Sequence, residues 1–201
     1  MKPVGKIEVP ALIATTLGPI VTFLGYTIAA MMWPGFDGMV HTISDLAAND
    51  SPVMIFMSSV FLFGALCDAV VAYYAKAFDI KARYLIGIAA IATVGLTVFN
   101  TPSQEGHSVP HRIFAILSFV LFSIWPLFAM RKGEDVPPLL RPRFSIWGTV
   151  FLVLVSIWFL SLWVDKHSMI MGLGERIGVA VQGLYPAIVI WHSWLWQRKR
   201  R

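Results

Sequence analysis

Apolar residues in this chain fall into six long runs separated by short polar links. About 20 apolar residues, at about 1.5 Å of rise each, cross a hydrocarbon core of about 30 Å. The runs predict helices over about Ala11 to Trp33, Pro52 to Ala75, Ala82 to Asn100, Val109 to Met130, Phe144 to Val164 and Leu173 to Trp196. Pro34-Gly35 stops the first run, and Ser51-Pro52 offers the second a cap residue followed by proline in the first turn. Ser108 with Pro110 does the same for the fourth, while Pro126 falls near its inner end. Gly87, Ala89, Ala90, Ala92 and Gly95 give the third run the small side chains that let helices approach closely in lipid. The expected fold is all-α: residues 1–201 as a single bundle of six transmembrane helices, with no soluble domain and no repeat.

Composition agrees with that pattern. The chain is 57% hydrophobic against 13% charged, and its mean hydropathy of +0.71 exceeds what a water-facing surface tolerates. A net charge of +5 raises nucleic acid as a partner, but the basic residues gather at the ends of apolar runs, which excludes a nucleic-acid patch. With both termini cytoplasmic, thirteen Lys and Arg lie in inner segments, and only Arg112, Lys166 and Arg176 lie outside. Trp33 and Trp163 fall at outer boundaries, and Trp147, Trp191, Trp194 and Trp196 at inner ones, where an amphipathic ring is best placed. Cys67 is the only cysteine, so there is no intrachain disulfide, and no cleavage pattern follows the first run.

This topology gathers three polar links on the outer face. The first carries His41, Ser44 and Asp45; the second, NTPSQEGHSVPHR, carries Glu105, His107, His111 and Arg112; the third carries Asp165 and His167 and runs into Glu175 and Arg176. Imidazoles and carboxylates suit zinc, whose bound water has a pKa near 7. His41, His107, His111 and His167 are the candidate metal ligands, with Asp45, His111 and Glu175 as candidate catalytic groups. Ser44, Glu105, Arg112 and Arg176 are candidate substrate contacts. The four-residue spacing of His107 and His111 suits one helix face, yet a helix capped at Ser108 leaves His107 in the loop. The alternative for all these groups is structural. Thr42, Ser44 and Asp45 can start a short surface helix, and outer acids can cap helices or pair with Arg112, Lys166 and Arg176.

Two intramembrane polar residues stand apart. Asp68 lies about two turns above the inner end of the second run, where a carboxylate must be paired, hydrated or protonated; Tyr73, Arg83 and His192 are its available partners. Gln182, in the sixth run, suits a bond between helices.

HTISDLAAND, GLTVFNTPSQEGHSVPHRIFA and GLGERIGVAVQGLYP together resemble the DUF998 family of small multi-span bacterial and archaeal membrane proteins, over most of the chain. The resemblance matches Ile43, Ser44, Asp45 and Leu46 to a family ISDL-like segment, and His111 to a histidine opening helix four. The TPSQEGHSVP insert is longer than in many members, which weighs for His111 over His107. No activity accompanies the resemblance, which implies a multi-pass protein of a prokaryotic plasma (inner) membrane. A looser similarity is to alkaline-ceramidase-like intramembrane hydrolases, through Ser44, Asp45, His107 and His111 with His41 or His167. Those proteins have seven spans and a late histidine pair, whereas His192 here stands alone at the opposite face.

Two function classes follow, with a third behind them. The first is an outer-face site that binds a membrane lipid, a quinone or an envelope protein without turnover. The second is a zinc-dependent hydrolase of a lipid amide or ester. The third is a small transporter, which Asp68 allows but no inverted repeat supports.

Overall fold

A computed structural model describes residues 4–104, 106–165 and 167–200. The long helices are α1 (Val9–Met32), α3 (Met54–Tyr74), α4 (Ile80–Val98), α5 (Val109–Ala129), α6 (Pro142–Val164) and α7 (Met171–Arg198); α2 (Ile43–Leu46) is a single turn. The six long helices are each long and apolar enough to cross a membrane. No sheet accompanies them among the described residues; Ile7 and Ala75 form an isolated antiparallel bridge. α1 packs on α3, α3 on α4, α4 on α5 and α5 on α6, and α7 closes the ring against α6 and α1. The large apolar residues on the outside, among them Ile20, Phe23, Ile91 and Leu154, are what a lipid solvent requires.

Local chemistry sets where the helices begin and end. α1 starts at Val9 because Pro10 fits a first turn, where its missing N–H costs nothing. α3 starts at Met54, two residues later than Ser51-Pro52 suggests, since the Ser51 hydroxyl is occupied in donating to the Leu46 carbonyl at 2.7 Å and accepting from the Val53 amide at 3.1 Å. Asp79 caps α4 through the Lys81 amide, so that helix begins ahead of Ala82. Arg83 then reaches back to the carbonyls of Ala72 and Tyr73, both at 2.6 Å, and places a cation at the C-terminus of α3.

Helix contacts follow heptad-like spacing. Gly18, Thr22, Gly25 and Ala29 recur along α1, and a Cβ on Gly18 or Gly25 would press into Cys67 or Val60 of α3. In α4, Ala89, Ala90, Ala92 and Gly95 are buried, and the Phe114 ring of α5 lies over Gly95. α5, α6 and α7 are tied by polar groups. Gln182 Nε2 donates to the Phe119 carbonyl at 3.0 Å and to the hydroxyls of Ser123 and Ser156 at 3.0 and 3.1 Å, and those hydroxyls bond each other at 2.8 Å.

The inner end is sealed. Phe78, from the link between α3 and α4, stacks on Trp125 with ring centroids 4.9 Å apart, and both are fully buried. Val136 and Leu140, from the link before α6, join the same core, and Tyr185 packs against it. Gln197 accepts from the Ile7 amide at 3.1 Å and donates to the Gly5 carbonyl at 2.8 Å, drawing the N-terminal segment over this floor.

Candidate functional site

The three outer links do meet. The Asn49 amide donates to the Thr101 carbonyl at 2.9 Å, joining the first link to the second. Gly172 and Leu173 donate to the carbonyls of Val40 and Met39, both at 3.1 Å, joining the first to the start of α7. Glycine at 172 is a steric requirement, because a Cβ there would run into the His41 carbonyl oxygen.

Most of the charged candidates at this mouth hold backbone. Thr42 and Asp45 form a capping box on α2: the Asp45 carboxylate accepts from the Thr42 amide at 2.7 Å, and the Thr42 hydroxyl accepts from the Asp45 amide at 3.1 Å. Burial pushes the Asp45 carboxyl above its ordinary 3.8, against the opposing pull of the Thr42 bonds and the charges of His41 and Arg176. Glu175, 6% exposed, accepts from the Ile43 amide and, at 3.2 Å, from the Ser44 hydroxyl. Its electrostatic role is therefore at the N-terminus of α2 and not at that of its own helix. Arg176 Nη1 donates to the carbonyls of Gly38 and His41 at 2.8 Å and of Gly172 at 2.9 Å, and its guanidinium lies 5.5 Å from the Tyr26 ring and 5.8 Å from that of Phe36.

The histidines separate. His111 is buried, its amide bonded to the Ser108 cap at 3.3 Å and its Nδ1 lying 3.1 Å from the Phe99 carbonyl. A carbonyl only accepts, so Nδ1 carries the proton and Nε2 keeps a lone pair, which is buried without a partner among the described residues. His107 lies exposed before the cap, so it shares no helix face with His111. His167 is exposed in the third link, and its amide is bonded to Asp165 at 3.0 Å. His41 is half-buried, with Nδ1 3.9 Å from the Asp45 carboxylate. Arg112 stacks 5.4 Å from the Trp163 ring. Glu105 and Lys166 lie outside the described residues. Among the described residues, no three His, Cys, Asp or Glu side chains come together to hold a metal ion.

Beneath this mouth the ring encloses space. A cavity of about 340 Å³ lies among α1, α3 and α7, and a second of about 130 Å³ extends from Ser44 and Glu175 between α3, α4, α5 and α7. Asp68, Phe122, Val179 and Gly183 border both. Ile20, Phe23, Leu24 and Leu184 line the larger cavity and are exposed on the outside of the bundle, so it opens sideways between α1 and α7, toward lipid. Arg83 is engaged with helix-end carbonyls, and Asp68 has no hydrogen-bond or ion-pair partner among the described residues.

Thr15, Thr22 and Tyr26 border the larger cavity with Asp68, and their hydroxyls also lack partners among the described residues. Pro19 has no N–H for the carbonyl of Thr15, four residues back in α1. The site is thus rich in acceptors. Hydroxyl residues in an apolar run attract little notice, but the spacing of Thr15, Thr22 and Tyr26 by seven and four places them on one helix face. That is the signal by which they are legible.

A family model described as protein of unknown function (DUF998) matches residues 16–192. No curated protein and no solved structure matches the chain.

Proposed function

This chain belongs to the DUF998 family, whose description assigns no reaction, and from the geometry we propose that it binds an amphipathic, membrane-dissolved ligand between α1, α3 and α7. The carrying observation is the cavity of about 340 Å³ that opens to lipid and is walled by apolar side chains around a few unpartnered polar ones. That combination, at a volume within the roughly 300–1,000 Å³ usual for ligand sites, fixes an orientation: tail toward α1 and α7, head toward Asp68. Acceptors outnumber donors at the head, since Asp68 and the proline-freed Thr15 carbonyl join three hydroxyls that can act either way. A head bearing O–H or N–H groups therefore suits the site better than the two carbonyls of a quinone. The outer mouth acts as a lid frame, with Glu175 and Arg176 holding α2 and its preceding link over the bundle.

Hydrolysis of a lipid amide or ester is the second reading, and His111 carries it. Its Nε2 lone pair is oriented by the Nδ1 contact with Phe99, as a general base or ligand requires. The remaining candidates add less, because Asp45 and Glu175 are occupied in capping α2.

Native mass spectrometry of the detergent-purified protein separates these readings. A retained amphiphile, near one per chain and lost in Gly64→Leu, is the expected result, since Gly64 lines the cavity with only the Thr22 hydroxyl within contact range. Wild type that stays bare after incubation with a total lipid extract would overturn the binding reading. Stoichiometric zinc in the same spectrum, lost in His111→Ala, would favour the hydrolase.

A further inference from the structure

The smaller cavity has a different character from the larger one. Its wall carries Glu175 and Ser44 at the outer mouth, Thr93, Ser118 and Gln182 along its length, and Asp68 at its depth. Asp68 is fourteen residues from the outer end of α3 and six from the inner end, about 21 Å and about 9 Å along the axis at about 1.5 Å per residue. Although nearer the inner face, it stands at the deep end of the smaller cavity and on the wall of the larger one. Val71 and Ile86, which border the larger cavity, belong to the same core as the Phe78–Trp125 floor. A volume of about 130 Å³ holds about four waters at about 30 Å³ each, with the polar side chains along it and one another as hydrogen-bond partners.

We propose that Asp68 is a proton-binding site that exchanges with the outer aqueous face through this polar cavity. A carboxylate in a bilayer must be paired, hydrated or protonated, and among the described residues no cation pairs with this one. α1 contributes Tyr26 and α7 contributes Glu175 as the titratable groups on the cavity walls, Cys67 adjoins Asp68 on α3, and α4 and α5 present only Thr93 and Ser118. Exchange is a simple transfer: a proton passes along water from the outer phase to the Asp68 carboxylate and returns by the same route. Because Asp68 also borders the lipid-open cavity, its protonation sets whether that cavity presents a donor or an anion to its occupant. The proton site itself does not depend on the ligand proposal.

Infrared spectroscopy of the reconstituted protein tests it. A protonated-carboxyl C=O band that titrates with pH, shifts on transfer to D2O and disappears in Asp68→Asn is expected. Ser118→Leu, which fills the track with an apolar side chain, is expected to slow the D2O shift at least tenfold, and Thr93→Val to slow it less, a second variant should the first fold poorly. Absence of any Asp68-dependent band at every pH overturns the site. An equally fast shift in both track variants overturns the route.

Discussion

Removing the Arg176 guanidinium should release the first outer link from the bundle. Its Nη1 holds two N–H groups shared among three carbonyls, those of Gly38, His41 and Gly172. A hydrogen bond from a charged donor is worth about 1.5–3 kcal/mol, so two give about 3–6 kcal/mol. The Tyr26 and Phe36 rings stand near the limit of useful cation–π distance and add about 0.5 kcal/mol each. Water recovers part of this, because the link lies at the membrane surface and its freed carbonyls rehydrate. A net loss of about 2–4 kcal/mol is expected for Arg176→Ala, which at about 1.4 kcal/mol per decade speeds opening of the link by on the order of 30-fold or more. The assay is hydrogen–deuterium exchange of peptides over 38–46 in detergent, where the Ile43 amide reports release from Glu175. Arg176→Lys should fall between wild type and alanine, since an ammonium keeps the charge but loses the fork. The competing tether is the link's own turn, in which Asp37 accepts from the amides of Met39 and His41. Exchange in Arg176→Ala within twofold of wild type would refute the reasoning and assign the link's order to that turn.

Two further expectations concern stability. Asp45 binds its proton more readily folded than unfolded, so wild-type stability should fall as pH rises from about 3.8 through the raised folded value. Asp45→Asn, which keeps an acceptor for the Thr42 amide, should flatten that limb of the unfolding curve; parallel curves for the two proteins would contradict the assignment. Gln182→Leu should cost about 1–2 kcal/mol in detergent unfolding, at about 0.6 kcal/mol per interhelical bond in a membrane. The Ser123–Ser156 bond survives the change and leaves neither hydroxyl orphaned, so a measured loss of zero would show that Gln182 ties no helices together.

The six helices are legible in the sequence because crossing a bilayer is a demand on local composition, and each apolar run answers it without reference to its neighbours. That the outer links share one membrane face is legible too, but whether they meet is not, since that depends on backbone contacts such as Asn49 to Thr101. Partners are not legible. Glu175 reads as a residue of its own helix's first turn, yet its carboxylate serves α2, more than 130 residues earlier in the chain. The paired spacing of His107 and His111 suggests a shared face, and Ser108 cancels it by starting α5 between them. Arg83 reads as a mate for Asp68 but is drawn to the carbonyls ending α3, where a cation is favoured by the helix dipole. Cavities are the least legible of all, being the space that packing leaves over.

The stacked Phe78 and Trp125, with Val136 and Leu140 beside them, give the bundle a direction. A vessel with a closed base returns its contents through the opening by which they entered. On the proposed reading, an occupant of the larger chamber exchanges with the surrounding lipid, on which that chamber opens. Passage to the cytoplasm would require the two rings to part and the link that carries Phe78 to lift away from α5. In the conformation described here the molecule has the shape of a sampling chamber.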